Sequence, residues 1–95
     1  MLPDLSVNDI VLFELPSAFL ATRLVDHVGS ERFAWQLFEH WVPIVAVVLT
    51  PEELDLAHLL RSVQSWLALR GLESIHYDVD GRSYVLKPRV LAAAG

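Results

Sequence analysis

The chain reads as an α+β domain with elements in the order β-α-β-β-α-β and one extra hairpin strand at the C-terminal end. Three observations lead there. "DIVLFEL" (Asp9 to Leu15) and "IVAVVLT" (Ile44 to Thr50) are apolar at both alternating sets of positions, as strands buried on both faces are. Ser17 to Val28 and Thr50 to Gly71 repeat apolar residues at the three-and-four spacing of amphipathic helices. "SIHYDVDGRSYVLK" is centred on Asp80-Gly81, a pair suited to the positive φ values of a type I′ hairpin turn.

Taken in order, the first strand is ended by Pro16, and Ser17 can cap the helix that follows. Leu20, Ala21, Leu24, Val25 and Val28 share one face of that helix, Arg23, Asp26 and His27 the other, and Gly29 closes it. The segment from Ser30 to Trp41 fits two patterns. As a helix it gathers Phe33, Ala34, Leu37, Phe38 and Trp41 on one side, giving the alternative order β-α-α-β-α-β-β with residues 31–41 helical. As a strand it puts Phe33, Trp35 and Leu37 on one face and Arg32, Ala34 and Gln36 on the other, with a turn near Glu39-His40. Periodicity slightly favours the helix. Topology favours the strand, because each helix then crosses between strands of one sheet in a right-handed split βαβ unit. The second helix carries a capping box, with Thr50 as N-cap, Pro51 at the first position and Glu53 three residues after the cap. Its apolar face is Leu56, Leu59, Leu60, Val63 and Leu67, and Gly71 ends it. The hairpin about Asp80-Gly81 should place Tyr77 opposite Tyr84 and Ile75 opposite Leu86.

This arrangement resembles the ferredoxin-like superfold from Asp9 to Leu86, at the level of fold and not of a family. Missing motifs exclude several of its members. There is no Cys-x-x-Cys for a metal chaperone, "IVAVVLT" lacks the basic and aromatic character of an RNA-recognition strand, and "ELPSAF" stands where acylphosphatase-like proteins carry a glycine-rich loop with arginine. The resemblance leaves effector-binding and dimeric-barrel members open, and a superfold with many functions constrains function weakly.

Ninety-five residues make a single domain, 1–95, with 1–6 and 88–95 expected to be flexible. Apolar residues are 54% of the chain and charged residues 20%, more hydrophobic than an average soluble domain, so the excess must be buried inside or against a partner. No cysteine is present, which removes disulfides, thiolate metal sites and cysteine nucleophiles. A net charge of -5 without a basic run argues against a phosphate backbone as ligand. The run "WVPIVAVVL" is about half the length that crosses a bilayer and is broken by Pro43, so no membrane span is expected. The start, "MLPDLSVNDI", lacks a basic n-region and an apolar h-region, which makes the cytoplasm the expected location. No cofactor is expected.

Strand alternation then sorts the sheet. Val11, Phe13 and Leu15, Phe33, Trp35 and Leu37, Ile44, Ala46 and Val48, and Ile75, Tyr77 and Val79 are expected under the helices. The open face should carry Ile10, Leu12, Glu14, Ala34, Gln36, Val45, Val47, Leu49, His76, Asp78 and Val85. Its apolar centre, Ile10, Leu12, Val45, Val47 and Leu49, is the candidate interface, since an apolar patch with a polar rim is the usual form of a protein contact. The expectation is therefore a small non-enzymatic domain that self-associates or binds a protein partner through this face. In the alternatives, the face or the cleft between two protomers holds an apolar small molecule, or Glu14, His76 and Asp78 line the cavity of a dimeric-barrel enzyme. A carboxylate beside an imidazole suffices for acid-base chemistry, yet the same residues pair on ordinary sheet surfaces. The N-terminal segment or the extra hairpin folding over the face is the competing structural explanation. Of the tryptophans, Trp35 is expected in the core, Trp66 at the edge of the second helix's apolar face, and Trp41 in a loop or at a strand end. His27, His40 and His58 are expected at the surface, and no two histidines have the spacing of a metal motif.

Overall fold

The contested segment folds as a strand. In the computed structural model, which describes residues 10–89, the order is β1 (Ile10–Glu14), α1 (Ala18–Val28), β2 (Ala34–Glu39), β3 (Val42–Val48), α2 (Asp55–Arg70), β4 (Ile75–Val79) and β5 (Arg82–Leu86). A two-residue turn, His40-Trp41, closes the β2–β3 hairpin with both residues at positive φ, 52° and 69°. The five strands form one antiparallel sheet in the order β2-β3-β1-β4-β5. Each crossover, β1-α1-β2 and β3-α2-β4, skips one strand position, and both helices pack on the same face. Residues 1–9, which include the segment 1–6 expected to be flexible, and residues 90–95 of the tail lie outside the described residues. Of the tail 88–95, Pro88 and Arg89 are described, and the Arg89 N–H donates to the Gln64 carbonyl of α2 at 3.3 Å.

Local signals account for most element ends. Ser17 Oγ accepts the Leu20 N–H at 3.2 Å, the expected N-cap of α1. Gly71 ends α2 at φ 69°, and Leu72 N–H reaches the Leu67 carbonyl at 3.0 Å, as in a Schellman motif. Asp80 and Gly81 adopt φ 56° and 74°, and the hairpin they close sets Tyr77 against Tyr84 and Ile75 against Leu86 as expected. The start of α2 departs from expectation. The helix begins at Asp55 behind Leu54, not at Thr50-Pro51, and the capping box is not made. Tertiary demands override the local signal here: the buried Asp55 carboxylate accepts the Thr50 N–H at 2.8 Å and pairs with Arg32, which comes from the loop before β2.

The core lies between the sheet and the two helices. Val11, Phe13, Val45 and Val47 from the central strands meet Leu24 of α1 and Leu59, Val63 and Leu67 of α2, all fully buried. This corrects the alternation expected for β2 and β3. Val45, Val47 and Leu49 lie beneath the helices and not on the open face, while Ile44, Ala46 and Val48 take the opposite side. In β2, Ala34 and Gln36 face the helices, and Trp35 and Leu37 face away. Trp35 and Leu37 share a face with Ile44 and Ala46 as expected, with Trp35 across from Ala46 and Leu37 across from Ile44. Phe13 lies opposite Val45, so the whole hairpin turns towards the helices the side expected to face away, as a one-residue difference in docking register does. Two placements favour this choice. Ala34 is small enough to sit beside the core, and Gln36 finds Thr22 of α1, whose hydroxyl lies 2.9 Å from Oε1.

Candidate functional site

The face opposite the helices is covered by none of the described elements. Three neighbouring strands give it an apolar centre: Ile10 and Leu12 of β1, Ile44, Ala46 and Val48 of β3, and Trp35 and Leu37 of β2. Ala46 is flanked by Leu12 and Trp35 across the two ladders, and those larger neighbours shield it within the surface. Phe33, just before β2, stacks obliquely on Trp35 with ring centres 5.6 Å apart and lengthens the patch. Trp35 is thus an exposed residue of the open face and not the core residue expected from sequence.

Polar groups gather towards one end. Glu14 closes β1 and Glu39 closes β2, so both carboxylates stand at the end where the β2–β3 turn lies. The β1–β4 register carries His76 next to Glu14, and the two line a shallow cavity of about 200 Å³ with Pro16, Val42 and Ser74. Asp78, two residues on, is opposite Leu12 and accepts a 2.6 Å hydrogen bond from the Ser83 hydroxyl of β5. The three candidate acid-base residues therefore share the open face, but Asp78 is turned towards β5 while Glu14 and His76 line the cavity. Among the described residues, no group of three or more His, Asp or Glu is placed to hold a metal ion.

Two features were not found from sequence. The first is the Arg32–Asp55 ion pair, both side chains largely buried, which ties the approach to β2 to the start of α2. Burial pushes the Asp55 carboxyl up. The Arg32 hydrogen bond, the Thr50 N–H and the Arg32 charge outweigh that and hold it below the usual carboxylate value. Sequence reasoning had no means of pairing residues 23 positions apart. The second feature is the exposure of the β2–β3 hairpin. Two of the three tryptophans and two of the four phenylalanines lie between Phe33 and Trp41, and all four are exposed. Trp66, by contrast, is buried under Arg70 and beside His27, so it offers nothing to a partner. His27 lies against α2, its Nε2 3.0 Å from the Ser62 hydroxyl, and forms a pocket of about 310 Å³ with His58 and Glu31.

On the helix side, a cavity of about 540 Å³ opens between the loop before α2 and the β4–β5 hairpin, lined among others by Glu52, Glu53, Asp80, Arg82 and Tyr84. Tyr84 stacks on Tyr77 at 5.3 Å. Burial, then the neighbouring Tyr84, raises the Tyr77 hydroxyl above its ordinary value. None of the described helices is long and apolar enough to cross a membrane. Comparison of the chain with protein-family models, with curated proteins and with solved structures gave no match in any of the three.

Proposed function

We propose that this chain is a small non-enzymatic association domain, ferredoxin-like in topology with β5 appended, which packs its open sheet face against a second copy of itself. The strand order and the two strand-skipping crossovers support the topology. One observation carries the function: the contiguous apolar surface of Ile10, Leu12, Trp35, Leu37 and Val48 around Ile44 and Ala46, with charged groups only at its margin. Sheets packed face to face lie about 10 Å apart and interdigitate side chains of this kind. The acidic end also favours a two-fold partner. With strands of the two copies antiparallel across the contact, Glu14 and Glu39 of one copy lie over the Ile10 and Val48 end of the other, so like charges are kept apart.

Mass measured in solution over a concentration series tests the proposal. Association that rises with concentration is expected, and Ile10→Lys, at an exposed site on this face, should weaken it while leaving the circular dichroism spectrum unchanged. A wild-type chain that stays monomeric at the highest concentration, or an Ile10→Lys chain that associates as well as wild type, overturns it.

A further inference from the structure

The two edges of the sheet differ in how they meet solvent. On β2, the Phe33 carbonyl accepts from Val48 N–H at 2.9 Å, so by antiparallel alternation Trp35, Leu37 and Glu39 also turn their backbone groups inward to β3. The N–H and C=O groups of Ala34, Gln36 and Phe38 point outward, and none of the described residues bonds to them. Nothing on this edge discourages another strand. It has no proline, no lysine and no bulge in its six paired residues, the devices by which exposed edges are normally protected. At the other edge, β5 starts with Arg82 and runs into Lys87-Pro88, and the chain is drawn off to α2, with Gln64 donating to the Lys87 carbonyl at 3.0 Å.

Side chains reinforce the contrast. Phe33 and Trp35 flank the β2 edge on the open face, Phe38 flanks it on the helix face, and Trp41 stands at the turn, with 73%, 38%, 59% and 93% of their surfaces exposed. Together they present about 500 Å² of aromatic surface around one strand. That is more than half of the about 800 Å² each partner contributes to a standard interface. Because the aromatic residues lie on both faces of the strand, a flat partner on the open face alone would leave Phe38 uncovered. A strand added at the edge covers both.

We propose that β2 pairs antiparallel with β2 of a second copy across a two-fold axis, joining two five-stranded sheets into one through Ala34, Gln36 and Phe38. This contact differs from the face contact proposed above in resting on the outward backbone groups of Ala34, Gln36 and Phe38, although Phe33 and Trp35 border both.

Amide hydrogen exchange followed residue by residue at low and high concentration of the full chain tests it. The amides of Ala34, Gln36 and Phe38 should gain at least about tenfold protection at high concentration, while the outward amides of Ser83 and Val85 on β5 should not. The same gain should persist in Ile10→Lys, which separates this edge contact from the face contact. Gln36→Pro removes the central outward N–H, and Gln36→Ala keeps it while losing the same bond to Thr22. The proline variant should associate at least about tenfold more weakly than the alanine variant. Free exchange of the three β2 amides at every concentration, equal protection of Ser83 and Val85, or equal association of the two Gln36 variants would each overturn the proposal. Should the proline variant not fold, the wild-type exchange pattern decides alone.

Discussion

The β2–β3 and β4–β5 hairpins have the same turn geometry and opposite chemistry. Both are closed by two residues at positive φ, 52° and 69° for His40-Trp41 and 56° and 74° for Asp80-Gly81. The second pair is what that geometry favours, since Gly adopts positive φ without penalty and Asp tolerates it. The first is a bulky pair in a conformation that an L-residue with a large side chain takes at a penalty of about 1 kcal/mol or more. At its tip Trp41 is almost wholly exposed, so no packing within the described residues offsets that penalty. The β4–β5 hairpin is stabilised locally, whereas the β2–β3 hairpin is held by tertiary contacts and presents its aromatic residues outward. Strain and exposed aromatic surface are thus concentrated in one hairpin, the one whose edge strand carries the pairing proposed above.

The largest expected effect separates the two faces of β3. Val47→Asp puts a carboxylate among Val11 and the helices and should unfold the domain, a loss of about 4 kcal/mol or more. Val48→Asp, one residue on, lies on the open face and should retain a cooperative thermal transition while weakening association. If the two variants behaved alike, the assignment of faces would be wrong.

Next in size is the ion pair that fastens the base of the β2–β3 hairpin to α2. Asp55→Ala strands the largely buried Arg32 and should lower stability by about 3 kcal/mol in urea denaturation. The Asp55 carboxyl is held below its unfolded value of about 3.9, so its contribution is fully present above that pH. It is lost as pH falls through the folded value. The difference between wild type and Asp55→Ala should therefore shrink on acidification from about pH 5 to pH 3. A difference independent of pH over that range would show that the pair does not titrate as described.

The smallest effects come from exchanging the chemistry of the turns. Trp41→Gly should stabilise the monomer by about 1 kcal/mol by relieving the left-handed conformation, and should weaken association by removing an exposed anchor. Gly81→Ala should destabilise by about the same amount through backbone strain alone, because an added Cβ there meets nothing within 4 Å. Denaturation midpoints check both, and opposite signs at the two turns are the outcome that supports the comparison.

Much of the element order was legible. Ser17, Gly71 and Asp80-Gly81 are local signals whose effect does not depend on distant residues, and α1, the end of α2 and the last hairpin form where they indicate. The strand at residues 34–39 was legible only through topology, because periodicity slightly favours a helix there; what decides is the sheet position it fills beside β3. The Thr50-Pro51 signal failed for a comparable reason, since Asp55 is drawn to Arg32 and the helix begins around that pair.

Of the candidate site, the polar residues Glu14 in β1 and His76 and Asp78 in β4 marked the sides of those strands that face away from the helices, so Ile10, Leu12, Glu14, His76 and Asp78 were legible as sharing one face. In β3 the sequence could not choose a face. Val45 and Val47 are as apolar as Ile44 and Val48, so both docking registers on β1 bury equivalent surface, and the sequence pattern has no preference between them. Only the tertiary structure made the choice, by seating the small Ala34 against the core and Gln36 beside Thr22 of α1. That choice turned Trp35 outward. Local patterning thus determined the two helices, the central strands and the last hairpin, topology decided the strand at 34–39, and tertiary packing decided which side of the β2–β3 hairpin is exposed.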